Sequence, residues 1–316
     1  MNLLARVFLT LGVAMTGFTA VADESPIRVI LPFAAGSGTD NIARPLLDEV
    51  TKATKQVFVI DNRPGASGAI AAQAVAQAAP DGRTFMVTTN TTHTINPVLF
   101  KKLPYDPVKD FSPVAMVSTS PYLLMVRKDM PVSNVKELMD WIKLNPGKAS
   151  YGWGAAVSQM AGAGFLKRFD LNAIGVPYKS SPQAVTDLIG GQISFMFLDL
   201  PAAVPHLKGD RLKPLLVTAP KRLAQLPSVP TASEAGIKDF DVSAWIGVFA
   251  PAGTPAPAIK KMTEALTQAM RSPALLERFE SCCVPEVLVG DAFTTYLQKD
   301  SARWVERAAA AGIQPE

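Results

Sequence analysis

Between residues 27 and 219 this chain alternates short β-rich runs with stretches of helical spacing, and that alternation restricts its fold more than any other feature. IRVILPF (27–33), QVFVIDN (56–62) and TFMVTTN (84–90) read as buried strands. Between the first two, Ile42, Leu46, Leu47 and Val50 recur at helical intervals. Strand, helix, strand in succession means parallel strands joined by crossover helices, hence an α/β fold. Pro45 falls inside the first helical segment, where its ring would crowd the Asn41 carbonyl, so a local kink is expected there.

The second half repeats the pattern with YLLMVRK (122–128), ASYGW (149–153), IGVPY (174–178), ISFMFLD (193–199) and KPLLVTA (213–219). A helix presenting Val135, Leu138, Met139 and Ile142 on one face lies between the first two, and Asn145-Pro146-Gly147 and Gly190-Gly191 punctuate the elements. After SAWIGVFAPAGTP (243–255) come three helical stretches and no convincing strand. A chain of 316 residues is comfortable for two α/β lobes. Single crossings near residues 122 and 246 place lobe one at 23–122 with 247–316, and lobe two, inserted into it, at 123–246.

Residues 1–22 carry only Arg6 as a charge, then an apolar run from Val7 to Phe18 and the small-residue pattern Ala20-Val21-Ala22. This is the pattern of a secretory signal peptide cleaved after Ala22, and the run is too short to span a bilayer. Export to the periplasm is therefore expected. Net charge is +4, and +3 with 30 basic against 27 acidic side chains once Arg6 is removed. Without basic runs, so small an excess leaves no nucleic-acid footprint. Cys282 and Cys283 are adjacent and poorly placed for a mutual disulfide, and read as half-buried residues at a helix end.

The sharpest local feature is PFAAGSGTD (32–40), a glycine and hydroxyl loop between the first strand and the first helix. Successive main-chain N–H groups backed by a helix N-terminus make a positive concavity for an anion. Gly36 and Gly38 permit close approach, and Ser37 and Thr39 add hydroxyls; the plainer reading is a turn capped by Thr39 or Asp40. YGWGAAVSQ (151–159) offers a similar loop in the second half, and its Trp153 is expected to report closure of the cleft. A dinucleotide fingerprint fails because its third glycine position is Asn41. His93 and His206 have no metal-ligand spacing around them, and no serine lies in a G-x-S-x-G elbow. An enzyme is thus disfavoured, and no cofactor or metal is expected.

Several longer segments resemble one family together: PFAAGSGTDNIAR, VIDNRPGASGAIAAQAVAQAAPDGRTF, NPVLFKKLPYDPVKDFSPVA, VPYKSSPQAVTDLIGGQISFMF, KPLLVTAPKRLAQLPSVPTASEAG and W-x-G-V-F-A-P-A-G-T-P. In this order, from about residue 27 to the end, they resemble the Bug family, the solute receptors of tripartite tricarboxylate transport systems. The resemblance implies a two-lobed type II periplasmic binding protein, each lobe a mainly parallel sheet flanked by helices. It further implies a monomer that holds a small carboxylate between the lobes and delivers it to a two-component membrane permease. By position, the ligand residues implied are Phe33, Ala34, Gly36, Ser37, Gly38, Thr39 and Asp40 in lobe one. In lobe two they are Gly154, Ala155, Ala156, Ser158 and Gln159, with Asn90, Thr92, Tyr178, Phe197 and Asp199 as further lining. The chain departs from the family pattern at Ala35-Gly36-Ser37, usually Pro-Gly-Gly, and at Gln159, usually histidine. Two other expectations stand beside this one: an exported α/β enzyme acting on a carboxylate or ester, and a receptor presenting ligand to a sensor.

Overall fold

The computed structural model describes residues 25–315; the expected signal peptide and its cleavage site lie outside them. The first βαβ run comprises β1 (Ile27–Leu31), α1 (Gly38–Thr54), β2 (Phe58–Asn62), α2 (Ala69–Ala76) and β3 (Thr84–Thr89). A π-helical turn (Thr91–Ile95) and α3 (Asn96–Leu99) lead to β4 (Phe111–Arg127). Then follow α4 (Val135–Leu144), β5 (Ser150–Trp153), α5 (Ala156–Arg168), β6 (Ile174–Pro177), α6 (Ser181–Ile189), β7 (Phe195–Asp199), α7 (Leu200–Lys208) and β8 (Leu212–Val217). The chain finishes with β9 (Ser243–Pro251), α8 (Ala256–Ala269), α9 (Pro273–Glu280), β10 (Val284–Val289) and α10 (Gly290–Ala311).

The strand order is β2-β1-β3-β9-β4-β7-β5-β6, with β8 and β10 also paired to β4. Pairing is parallel where helices cross over, between β1 and both β2 and β3, and between β5 and both β6 and β7. Every antiparallel pairing involves β4 or β9. β4 serves two sheets: residues 111–121 pair with β9, whereas residues 122–127 pair with β7 and β8. Pro113 and Pro121 fall within β4, and its register with β9 shifts twice before Ser118; such irregularities bend and twist a strand. Thr218, just after β8, staples the bend. Its hydroxyl accepts from Tyr122 N at 2.8 Å and donates to the Val242 carbonyl at 2.5 Å, joining the two crossing segments.

Ile42, Ala43, Leu46, Leu47 and Val50 of α1 are buried against Val29, Leu31, Phe85 and Val87, as their spacing predicts. Each such leucine or valine contributes roughly 1.5–3 kcal/mol by leaving water. Helix α1 is continuous through Pro45, its eighth residue, where the proline gives up one intrahelical bond to the Asn41 carbonyl and the buried Ile42, Leu46, Leu47 and Val50 on either side hold the helix against the sheet. Its N-cap is Ser37, whose hydroxyl accepts from Asp40 N at 3.3 Å, not Thr39 or Asp40.

The C-terminal region departs from expectation in one element. β10 runs antiparallel to β4, although VPEVLV leaves most of its residues exposed or half-exposed and so lacks the alternation that marks a half-buried strand. Helix α10 packs Phe293 with Trp245 and Phe249 at one end. At the other end, its Trp304 and Ala308 join Met160, Ala161 and Phe165 of α5. It therefore ties the two sheets together across their back. Cys282 and Cys283 are free thiols in the link from α9 to β10, one half-buried and one buried.

Candidate functional site

The carboxyl end of β1 meets the carboxyl ends of β5 and β7 at a small cavity beside the crossing strands. From the first half come Phe33, Ser37, Gly38, Thr39 and Thr89; from the second come Ala155, Ser181, Asp199 and Pro201. Ser120, Tyr122, Ala244 and Ile246 of the crossing strands complete the wall. Four helix N-termini thus converge. Gly38 and Thr39 open α1, Ala155 caps α5, Ser181 opens α6, and Asp199 and Pro201 begin α7. Each contributes the positive end of a helix dipole and N–H groups free of intrahelical bonds.

The donors of the first loop are divided between structure and cavity. Gly36, at φ +80°, donates its N–H to Asp40 Oδ2 at 3.0 Å, and Ser37 N donates to the Ala34 carbonyl at 3.1 Å. Those two groups are spent inside the loop, contrary to the expectation that they face a ligand. The N–H groups of Gly38 and Thr39 have no partner within the described residues. Asp40 lies behind the loop as an anchor, clasped by Arg44 at 2.8 and 2.9 Å and by Asn62 at 3.1 Å. Burial pushes its carboxyl up, but the hydrogen bonds from Arg44, Gly36 and Asn62 outweigh burial and hold it below the usual range.

Across the cavity, Asp199 accepts from Ala202 N at 3.0 Å as N-cap of α7. Burial pushes its carboxyl up to about 6. Tyr122 beside it is raised well above the ordinary phenol value, by burial first and then by Asp199. Direct contacts already close the two sides. Ala34 N donates to Ser180 Oγ at 3.1 Å, and Asn41 Nδ2 donates to the Pro201 carbonyl at 3.0 Å. The space left is about 20 Å³, room for little more than one water.

Of the remaining expected residues, Gly154 and Ala156 are buried beside this wall, and a Cβ on Gly154 would come within 2.1 Å of the Ser180–Ser181 backbone. Ser158 bonds the Phe197 carbonyl, and Phe197 is buried in the core against Phe165 and Phe240. Gln159 lies in the first turn of α5, half-exposed and outside the lining. Tyr178 points elsewhere, its hydroxyl donating to Asp187 at 2.7 Å. Asn90 and Thr92 are buried one layer deeper: Asn90 Nδ2 donates to the Ser243 carbonyl at 2.9 Å, and Thr92 Oγ1 is bonded to Thr88 and His93. Trp153 packs at a tilt on Tyr151 and covers Gly175, outside the cavity lining. Thr89, Ser120, Tyr122 and Ser181 were not anticipated; the hydroxyls of SPY (120–122) and SSP (180–182) were the available signal.

Residues 42–308 match the model of the tripartite tricarboxylate transporter family receptor. A UPF0065 protein of Bordetella pertussis is 34% identical over 279 residues, covering 87% of this chain and 86% of that protein. The solved periplasmic binding protein BugD superposes with a TM-score of 0.87 at 31% identity, over 92% of this chain and 99% of its own. MatC from Rhodopseudomonas palustris, solved with malate, superposes at 0.83 with 33% identity, over 89% and 98%. A second R. palustris protein, solved with adipate, superposes at 0.89 with 31% identity, over 92% and 98%. Fold, matched span and identity together lead to one assignment: the chain belongs to the tripartite tricarboxylate transporter receptor family, alongside the Bug solute-binding receptors.

Proposed function

We propose that this chain is a periplasmic, monomeric, non-catalytic receptor that closes on a small carboxylate at the cavity between its lobes and passes it to a two-component membrane permease. The observation that carries the reading is the convergence of four helix N-termini on one cavity, an arrangement that favours negative charge. Adipate and malate in the solved relatives support the ligand class. Gly38 and Thr39 from one side, and Ala155 and Ser181 from the other, are the groups assigned to the ligand carboxylate. The lobes are assigned to 23–122 with 247–316 and to 123–246, with cleavage of the leader after Ala22. Because the closed cavity holds about 20 Å³, loading requires the lobes to part at the Thr218 staple.

The test is a thermal denaturation panel of C4–C8 mono- and dicarboxylates beside the matching amides. A ligand specific to the folded state at a hundred times its Kd adds about 2.7 kcal/mol of stability. At least one acid should raise Tm while its amide does not, and mass spectrometry should recover that acid unchanged. Equal stabilisation by amides, or chemical conversion of the acid, defeats the reading.

A further inference from the structure

A second cavity, sharing no lining residue with the cleft, lies between α5, α10 and residues 239–242. It measures about 390 Å³ and is lined by Met160, Gly164, Phe240, Val242 and Trp304, with Lys167, Arg168 and Arg307 among its charged residues. That size falls within the roughly 300–1,000 Å³ of ordinary ligand pockets. Its wall is mixed in a particular way. Met160, Val242 and Trp304 are buried and apolar, and the Arg307 guanidinium stacks over the Trp304 ring with Cζ 5.1 Å from its centroid. Arg307 donates to the Asp241 carbonyl through Nη2, but its Nη1 is buried and without a hydrogen-bond partner.

A buried, unpaired guanidinium nitrogen is costly, since the group loses water and gains nothing in exchange. The two acids of the rim, Asp239 and Asp241, are exposed. Neither they nor Lys167, Arg168 and Arg307 form an ion pair among the described residues. Burial, then the neighbouring Arg303, pull the Arg307 pKa down, and Asp241 and Asp300 offset them only in part. The cavity therefore combines an aromatic and thioether wall with an under-compensated planar cation.

From this juxtaposition we infer a second binding site, separate from the cleft, that takes an aromatic monocarboxylate: its ring lies against Phe240, Met160 and the Arg307–Trp304 stack, and its carboxylate pairs with Arg307 and Lys167. Guanidinium is the side chain best matched to a planar carboxylate, and an aromatic body suits Phe240 and the thioether. The site bridges α5 and α10, and the Val242 carbonyl in its wall is held by the Thr218 staple.

Gly164 permits a direct test. It sits mid-helix in α5, and a Cβ there would meet only Phe240 Cε2, at 3.9 Å, so Gly164→Leu enters the cavity from an unhindered Cβ and with better helix propensity. The probe is 3-phenylpropanoate, titrated calorimetrically into the full mature protein, with 3-phenylpropanamide as the uncharged control. Wild type should bind the acid, the amide should bind at least tenfold more weakly, and both Gly164→Leu and Arg307→Gln should weaken the acid at least tenfold while circular dichroism is unchanged. Should Gly164→Leu fail to fold, Arg307→Gln carries the test by itself. No binding of the acid at millimolar concentration, or binding unaffected by Gly164→Leu or Arg307→Gln in a folded variant, overturns the inference.

Discussion

The carboxylate of Asp199 lies so close to Gly38 that a Cβ at position 38 would stand 1.8 Å from Oδ1 and 2.5 Å from Cγ. Gly38 has no positive φ to accommodate; its lack of a side chain serves the approach of α7 to the first turn of α1. The contact connects the two sides of the cleft, and a methyl group there forces either Asp199 or the whole of α7 to retreat.

Gly38→Ala is accordingly expected to disfavour closure without unfolding either lobe. Overpacking of this kind costs about 1–3 kcal/mol, which at 1.4 kcal/mol per decade is about fivefold to a hundredfold in ligand affinity. Asp199→Ala in the same background removes the clash and should recover part of the loss. Calorimetric titration of the single and double variants, with circular dichroism for fold, measures the coupling. Wild-type affinity in Gly38→Ala would show that the ligand-bound state does not use this contact.

Sequence reading reached the alternating elements because each carries its own local signal: buried strands of β-branched and aromatic residues, and helices with one apolar face. It missed the first half of β4, where FSPVAMVSTS mixes prolines and serines into a strand held by long-range pairing to β9. It missed β10 for the same reason, an edge strand with little buried surface of its own. The loop that lines the cavity was legible in Gly36 to Thr39, whereas the use of the Gly36 N–H by Asp40 was not, since it depends on where the Asp40 side chain turns. Ser120 and Tyr122 reach the cavity only because β4 bends there, and Phe197, on the same face of β7 as Asp199, stays in the core because it lies inside the strand against Phe165 and Phe240, whereas Asp199 stands at the strand's carboxyl end.

Gly154→Ala tests the second wall. Its Cβ would come 2.1 Å from both the Ser180 carbonyl carbon and Ser181 N, and backbone atoms of a helix start cannot swing aside as a side chain does. The expected destabilisation is about 1–3 kcal/mol, read as a lower urea midpoint at unchanged m-value. An unaltered midpoint would mean that α6 is free to shift against β5.

Asp300 is the polar tie between α10 and the crossing strand β9. Its buried carboxylate accepts from Trp245 Nε1 at 2.8 Å, Thr94 Oγ1 at 2.7 Å and Trp304 Nε1 at 3.2 Å, and pairs with Arg303. Asp300→Ala strands three donors and a half-buried cation, at a cost of about 3–5 kcal/mol. The indole partners make the loss visible as a change in tryptophan emission of the native state as well as in chemical denaturation. A stability loss below about 1 kcal/mol would show that water replaces the carboxylate easily.

Ligand affinity should depend on pH, because the cavity proposed for a carboxylate already contains one, that of Asp199. Two carboxylates about 4 Å apart repel by roughly 4 kcal/mol at an effective dielectric near 20. Protonating Asp199 instead, from a pKa of about 6 at pH 7, costs only about 1.4 kcal/mol. Protonation wins, so ligand binding should take up close to one proton at pH 7, leaving Asp199 a hydrogen-bond donor; Tyr122, raised well above the ordinary phenol value, remains protonated throughout. Affinity should then rise about tenfold for each unit of pH from 8 down to about 6, and level off below it until the ligand itself is protonated. The sign for the free protein follows from the same raised pKa: the stability Asp199 contributes is present below its unfolded value near 4 and is lost as pH rises to about 6. Asp199→Asn keeps the cap on Ala202 N, removes the titrating charge, and should flatten both curves while binding at pH 8 more tightly than wild type. Titration calorimetry in two buffers of different ionisation enthalpy gives the proton count directly. Wild-type affinity that is constant between pH 6 and 8, with no proton uptake, would place the ligand carboxylate away from Asp199.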